Sequence, residues 1–323
     1  MDFTDFDFAS AEYIATATAL WNAACGPELS IAEATMHYNT RPNTGGVQAG
    51  WFASMAGRAA GFVLASALPG EPSVMSPDAG WIDALAVTPE LQRTFVGCGL
   101  LRRAEAWLRD QGCRYAIPGG SIRPFAAGVP VESRAESFFA RCGYVPRPRG
   151  GRSWDMAADV STYVSRYGGR TLPGEPWAAP ARPGDEDALL TYLRREFPGR
   201  WRYEAEEFLA DGGAITDFVL LWTPGGVEGS CQLTFEDSIR PMDRFFPARL
   251  PRPWGQLGSI GISERHRGKG WGGLLLDTGL CYLRDRGVAG CVIDWTGLLD
   301  FYGKFGFRPY REYAMLVKTL ADD

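Results

Sequence analysis

Arg265-His266-Arg267-Gly268-Lys269-Gly270-Trp271-Gly272-Gly273, followed by Leu274-Leu275-Leu276, is the stretch on which the reading of this 323-residue chain turns. Before it, residues 257–262 (LGSIGI) read as a short, buried, glycine-interrupted strand. After it, residues 272–286 place apolar or small residues at Leu275, Leu276, Gly279, Leu280 and Leu283, a spacing close to the helical period. Gly287 then stops the helix as a C′ glycine. The stretch is therefore a strand, a glycine-rich turn and a helix N-terminus. Glycines let a ligand approach the backbone, and the free N–H groups of a helix start attract an anion. Arg265, Arg267 and Lys269 add positive charge. The combination predicts a cradle for phosphate or pyrophosphate.

On these residues alone the kind of cradle stays open. A dinucleotide fingerprint can be laid on Gly268, Gly270 and Gly273, with Asp294, after the strand-like residues 289–293, as the ribose ligand. A P-loop fails, because Gly268-Lys269 is followed by Gly270 and not by Ser or Thr.

The segment Arg265-His266-Arg267-Gly268-Lys269-Gly270 also resembles the acyl-CoA-binding motif R/Q-x-x-G-x-G/A of the GNAT superfamily of N-acetyltransferases. A second segment, Leu298-Leu299-Asp300-Phe301-Tyr302-Gly303-Lys304-Phe305-Gly306-Phe307, is similar to that family's tyrosine-bearing motif and lies at the family spacing. The resemblance implies that Arg265 and the backbone of Arg267, Gly268, Lys269, Gly270, Trp271 and Gly272 hold the pyrophosphate of acetyl-CoA. It implies that the strand edge 259–262, with Ile260 and Ile262, pairs with pantetheine, and that Tyr302 protonates the departing thiolate. The general base is less defined. Asp294, between Ile293 and Trp295, is either a carboxylate suited to take a proton or a cap on the next helix, alone or with Thr296. Glu236 and Asp237 either meet a cationic amine or face water, and His266 sits among the phosphate contacts.

Composition bounds the rest. A 46% hydrophobic and 22% charged chain is globular, and a net charge of −5 argues against a broad nucleic-acid surface. No apolar run reaches the roughly 18 residues of a membrane span. Residues 1–8, acidic and alternating, predict an edge strand and not a signal peptide. Seven cysteines without a C-x-x-C pair, and only two histidines, predict a reducing, cytoplasmic setting and no metal site.

The chain also reads as two copies. Leu108-Arg109-Asp110-Gln111-Gly112 matches Leu283-Arg284-Asp285-Arg286-Gly287, 175 residues on. Phe138-Phe139-Ala140-Arg141-Cys142-Gly143-Tyr144 matches Phe301-Tyr302-Gly303-Lys304-Phe305-Gly306-Phe307, 163 residues on, so the first copy has a loop 12 residues longer, over 118–130. At 175, Gly268 falls on Arg93 and Gly270 on Phe95; a local offset of 173 instead puts Phe95 on Gly268. Either way a phenylalanine replaces a cradle glycine, and Tyr302 falls on Phe139. The first copy is expected to have lost acyl-CoA chemistry. Expected helices are 9–24, 97–110, 132–141, 185–195 and 201–211; expected strands are 47–55, 59–68, 81–87, 114–117, 218–222 and 227–235. Residues 239–254, rich in Arg and aromatics, read as a packed loop or a substrate lid.

The resemblance thus implies an α/β (α+β mixed sheet) fold of two tandem GNAT domains, 1–166 and 177–323, each a mostly antiparallel sheet flanked by helices. The layout is similar to that of mycothiol synthases and bacterial glucosaminide N-acetyltransferases. The function implied is transfer of acetyl from acetyl-CoA to a primary amine of a small molecule, amino sugars included; the alternative is a non-catalytic acyl-CoA-binding or sensing protein.

Overall fold

The structure, a computed structural model, describes residues 1–168 and 170–320. The chain opens with β1 (Asp2–Asp5) and α1 (Ala11–Cys25). Ser10 caps α1, its hydroxyl accepting from the Tyr13 amide at 3.3 Å. A short α2 (Glu33–Asn39) follows, then β2 (Val47–Met55), β3 (Arg58–Ala67), β4 (Ala79–Val87) and α3 (Val96–Asp110). Next come β5 (Tyr115–Pro118), β6 (Val129–Pro130), α4 (Glu136–Arg141), β7 (Val145–Pro146) and β8 (Arg152–Asp159). The second copy runs through β9 (Trp177–Pro180), α5 (Glu186–Glu196), α6 (Arg200–Ala210), β10 (Phe218–Thr223), β11 (Gly226–Phe235) and β12 (Trp254–Ile262). It closes with α7 (Trp271–Asp285), β13 (Gly290–Thr296), α8 (Leu299–Gly303), β14 (Arg308–Ala314) and β15 (Leu316–Thr319).

The chain packs as two compact units, one of Met1–Trp154 with the segment from Arg311, the other of Asp155–Tyr310. Packing therefore divides the chain differently from the duplicated sequence, which suggested 1–166 and 177–323. The first sheet runs β1-β2-β3-β4-β5-β15-β7. Its registers are antiparallel except for β4 and β5, which run parallel from Ala79↔Tyr115 to Ile82↔Pro118. β15 joins this sheet with Leu316 and Lys318 on one face: Leu316 joins the buried core, and the Lys318 ammonium meets Glu105 of α3 at 2.7 Å. In the second unit the strand order is β8-β13-β12-β11-β10-β9, with β12 and β13 parallel from Trp254↔Gly290 to Gln256↔Val292. Leu275, Leu276, Leu280 and Leu283 of α7 pack against Leu233 and Leu257 in its core.

Most expected elements form within a residue or two of their sequence limits. The helix expected over 132–141 is shorter, because Arg134 adopts a left-handed φ of 57° that breaks it ahead of α4. The strand expected over 289–293 runs on to Thr296, so Asp294 lies within β13. Residues 239–254 pack: Met242, Phe245 and Phe246 are buried, the first two against Val292, so the loop reading holds over the lid. The longer loop of the first copy is almost wholly buried from Gly119 to Gly128.

Candidate active site

The site is built where β12 loses its neighbour. The parallel ladder with β13 spans only three residue pairs and ends at Gln256↔Val292. On the other edge the register jumps, Ser230 facing Gly261 and Gln232 facing Gly258, so Ser259 and Ile260 share one partner position. Ser259 takes a left-handed φ of 47° at this bulge. The bulge and the splay together open β12 from Leu257 to Ile262 toward one side, with Ile260 and Ile262 half-buried.

The chain then turns through a 3-10 turn, Glu264–His266, into the cradle. Gly268 and Gly270 have φ of 80° and 85°, values that side-chain-bearing residues rarely adopt. Gly270 is the N-cap of α7, and no side chain caps the helix. A Cβ at Gly268 or at Gly272 would meet only open space, which is room for a ligand against uncapped amides. Lys269 lies 3.2 Å from the His266 ring, and Arg267 is largely exposed. Arg265 does not stand free: its guanidinium is paired with Glu228, a buried carboxylate that also takes Arg195 at 3.1 Å and the Ser263 hydroxyl. Burial works against the Glu228 charge, but these donors outweigh it and hold the carboxyl below its usual range. Glu228 thus fixes the entry of the turn. The Trp271 ring is buried, stacked on His266 at 3.9 Å and donating to the Pro173 carbonyl at 3.0 Å, so only its backbone faces the cradle. Burial, with Lys269 nearby, lowers the His266 pKa, which keeps the ring neutral.

Residues 163–168 and 170–175 form a strap over α7. The Tyr163 and Ser165 hydroxyls each donate to the buried Asp277 at 2.7 Å, as does the Arg166 amide. Tyr167 presses on Gly273, where a Cβ would lie 2.0 Å from its hydroxyl oxygen.

The chemistry-bearing side chains meet below the bulge. Asp294 accepts from the Gln256 amide at 2.6 Å. The Gln256 carbonyl accepts from Thr234 at 2.8 Å and from Arg240 at 2.9 Å. Gly258 makes room for this: a Cβ there would lie 2.3 Å from Gln256 Nε2 and 2.9 Å from Asp294 Oδ1. The helix-cap reading of Asp294 falls, because α8 has no side-chain cap and it is the Thr296 hydroxyl that accepts from the Leu298 amide at 3.0 Å. Tyr302 is buried on α8, and its phenol is pushed well above the ordinary range by burial first, then by the Asp294 charge and Cys231. Its proton is therefore held throughout the neutral range. Glu236 and Asp237 do not join the site; Glu236 meets Arg252 at 2.8 Å and Asp237 meets Arg286 at 2.9 Å. Trp295, with φ of 50°, has Arg200 over its ring at 4.5 Å.

Sequence reasoning missed Glu228, Gln256, Thr234 and Arg240. A signal existed for two of them: Glu228 and Gln256 are polar residues inside otherwise apolar strand runs, and a strand interior keeps such a residue only with partners.

In the first unit the same backbone carries different side chains. β4, the Pro89–Leu91 turn and α3 repeat β12, the Glu264–His266 turn and α7 residue for residue at 175. Arg93 and Phe95 hold φ of 65° and 70° where Gly268 and Gly270 hold theirs, so the alternative offset of 173 is set aside. Phe95 is 82% exposed, its ring standing out from the turn.

Residues 15–144 and 186–307 each match the acetyltransferase (GNAT) family, and the chain belongs to that family, as a tandem of two GNAT domains. Among curated proteins none matches the sequence. Among solved structures the fold is similar to a GCN5-related glucosamine N-acetyltransferase region of a fungal multidomain β-N-acetylglucosaminidase (TM-score 0.83, 23% identity). That likeness covers 98% of this chain but only 38% of the fungal chain. It is also similar to a tandem GNAT protein from the clavulanic acid biosynthesis pathway (TM-score 0.72, 15% identity, 100% and 99% of the two chains). A GCN5-related N-acetyltransferase from Sphaerobacter thermophilus follows at a TM-score of 0.65 and 19% identity, over 99% and 96% of the chains. At these identities the likenesses speak for the fold.

Proposed function

We propose that this protein is an acyl-CoA-dependent N-acetyltransferase that acetylates a primary amine of a small molecule, and that its second unit carries the reaction. The observation behind this reading is the pair of left-handed glycines, Gly268 and Gly270, with open space at Gly268 and Gly272, leading into an uncapped helix start beside a splayed, bulged strand. Their space fits a pyrophosphate, with the amides of residues 267–272 as donors and Lys269 and Arg267 as neighbouring charge. Acetyl-CoA, when bound, supplies an activated thioester carbonyl.

The chain's own residues do the rest. The opened edge of β12 near Ile260 offers amides to a thioester and its arm. Asp294, oriented by Gln256, accepts a proton from the attacking amine. Tyr302, buried on α8, keeps its phenol proton at neutral pH and gives it to the departing thiolate.

The test is release of free coenzyme thiol from acetyl-CoA with a panel of amines, glucosamine first. Tyr302→Phe should lower kcat by about 10²-fold with little change in KM for acetyl-CoA. Asp294→Asn should likewise lower kcat more than it changes KM for acetyl-CoA. Unaltered turnover in Tyr302→Phe contradicts the assignment, and binding of acetyl-CoA without turnover on any amine favours a sensing role.

A further inference from the structure

Two thiols of the first unit lie against each other. Cys98 is in the first turn of α3, and Cys142 caps the end of α4, 44 positions further along the chain. Their sulfurs are nevertheless 3.9 Å apart, and both residues are half-buried. The two helices pack directly here, since a Cβ on Gly97 would lie 3.3 Å from the Phe138 ring. Two charged groups bear on Cys142: the Lys318 ammonium favours its thiolate, and the Glu105 carboxylate, 2.7 Å from that ammonium, opposes it.

The second unit joins the same two places by other means. At the offsets of 175 and 163, Cys98 falls on Gly273 and Cys142 on Phe305. There Tyr167 of the strap stands between them. A Cβ on Gly273 would lie 2.0 Å from its hydroxyl oxygen, and its ring stacks on Phe305 at 6.4 Å with the planes 6° apart. In the first unit the two sulfurs are too close for a third side chain to stand between them, and they face each other directly. One copy ties the helix start to the segment after α8 with an aromatic side chain. The other has two thiols in the matching places.

We propose that Cys98 and Cys142 are a modification site for small-molecule disulfides such as oxidised glutathione, which convert the pair to an intramolecular disulfide joining α3 to α4. Cys98, as its thiolate, attacks one sulfur of the small disulfide; that S–S bond breaks and one glutathione leaves as a thiolate. Cys142 then gives its proton to solvent and attacks the Cys98 sulfur, expelling the second glutathione. Two protein thiols are oxidised, one small disulfide is reduced, and the two protons lost by the protein are balanced by those taken up by the two glutathiones. Burial, with Cys98 and Glu105 beside it, pushes the Cys142 thiol up to about 11, which gives it the second attack. That attack is intramolecular, and the nearness of the sulfurs offsets a scarce thiolate. The link restricts the unfolded chain more than the folded one, so it stabilises the first unit. Under reducing conditions the pair stays as two thiols. The inference stands on the first unit's geometry and does not require acetyl transfer in the second.

The experiment incubates the full chain with oxidised glutathione, alkylates the remaining thiols in denaturant and maps the peptides by mass spectrometry. The wild type should lose two of its seven thiols, gain a peptide linked from Cys98 to Cys142, and retain no glutathione. Cys142→Ser should retain one glutathione, on Cys98, and Cys98→Ser should form no link. Cys25→Ser should keep the link. The oxidised wild type should unfold at a higher urea concentration than the reduced protein, a shift that dithiothreitol reverses and that Cys98→Ser lacks. Circular dichroism reports whether each variant folds, and the peptide map of the wild type needs no variant. No Cys98–Cys142 peptide at any glutathione ratio, or a link made by other cysteines in its place, would overturn the proposal. So would glutathione retained on Cys142 in Cys98→Ser but not on Cys98 in Cys142→Ser, or an oxidised wild type no more resistant to urea than the reduced one.

Discussion

Gly268 and Gly270 adopt left-handed backbone freely, whereas Arg93 and Phe95, in the same conformation, each bear a cost of about 1–2 kcal/mol. The turn is thus set by the strand and helix around it, and the side chains decide what it can hold. The carboxyls differ in the same way. Burial raises the Asp83 pKa to about 7, against the opposing hydroxyls of Ser121 and Ser66. A raised folded-state pKa means that the native protein binds more protons than the unfolded chain between about pH 4 and 7. Stability from this group is then full below pH 4 and is lost as pH rises through 7. The nearby Cys25 thiol, pushed up to about 12, stays neutral across that window. Asp83→Asn should therefore gain stability relative to wild type as pH rises from 5 to 8, measured by urea unfolding; a constant difference across that range would contradict the assignment. At this scale the sequence was readable where a residue type is rare for its setting, as with the cradle glycines and Phe95. It was silent on Thr234 and Arg240, whose roles arise only when β11 and β12 align around Gln256.

The element that organises the second unit is α7, whose start is the cradle and whose flank is held by the strap. The strand, turn and helix were legible because their apolar period and their glycines agree. The strap was not: most of it fell in the gap between the two expected domains, while its grip depends on three hydrogen bonds to one buried carboxylate, Asp277. Gly273→Ala would place a Cβ 2.0 Å from the Tyr167 hydroxyl oxygen and 2.6 Å from its ring. This variant should lose about 1–3 kcal/mol in chemical denaturation. Adding Tyr167→Ala should restore part of that loss; no recovery would mean that the strap does not rest on Gly273.

Across the whole chain, duplication was plain in the sequence, but the exchange of its end was not. Residues 311–320 carry no motif, and their place in the first unit follows from pairing of β15 with β5 and β7 and burial of Ala314, Leu316 and Leu320. Ending the chain at Tyr310 should strip hydrogen-exchange protection from β4, β5 and α3 while α7 and β11 keep theirs. Equal loss in both units would contradict the division. Two copies of one fold with one open cradle is the central claim, and it is tested most directly by calorimetric titration with acetyl-CoA of the wild type and of Gly270→Phe, which copies Phe95 into the second cradle. The account predicts one site in the wild type and none in the variant; two sites in the wild type, or a site surviving in the variant, would contradict it.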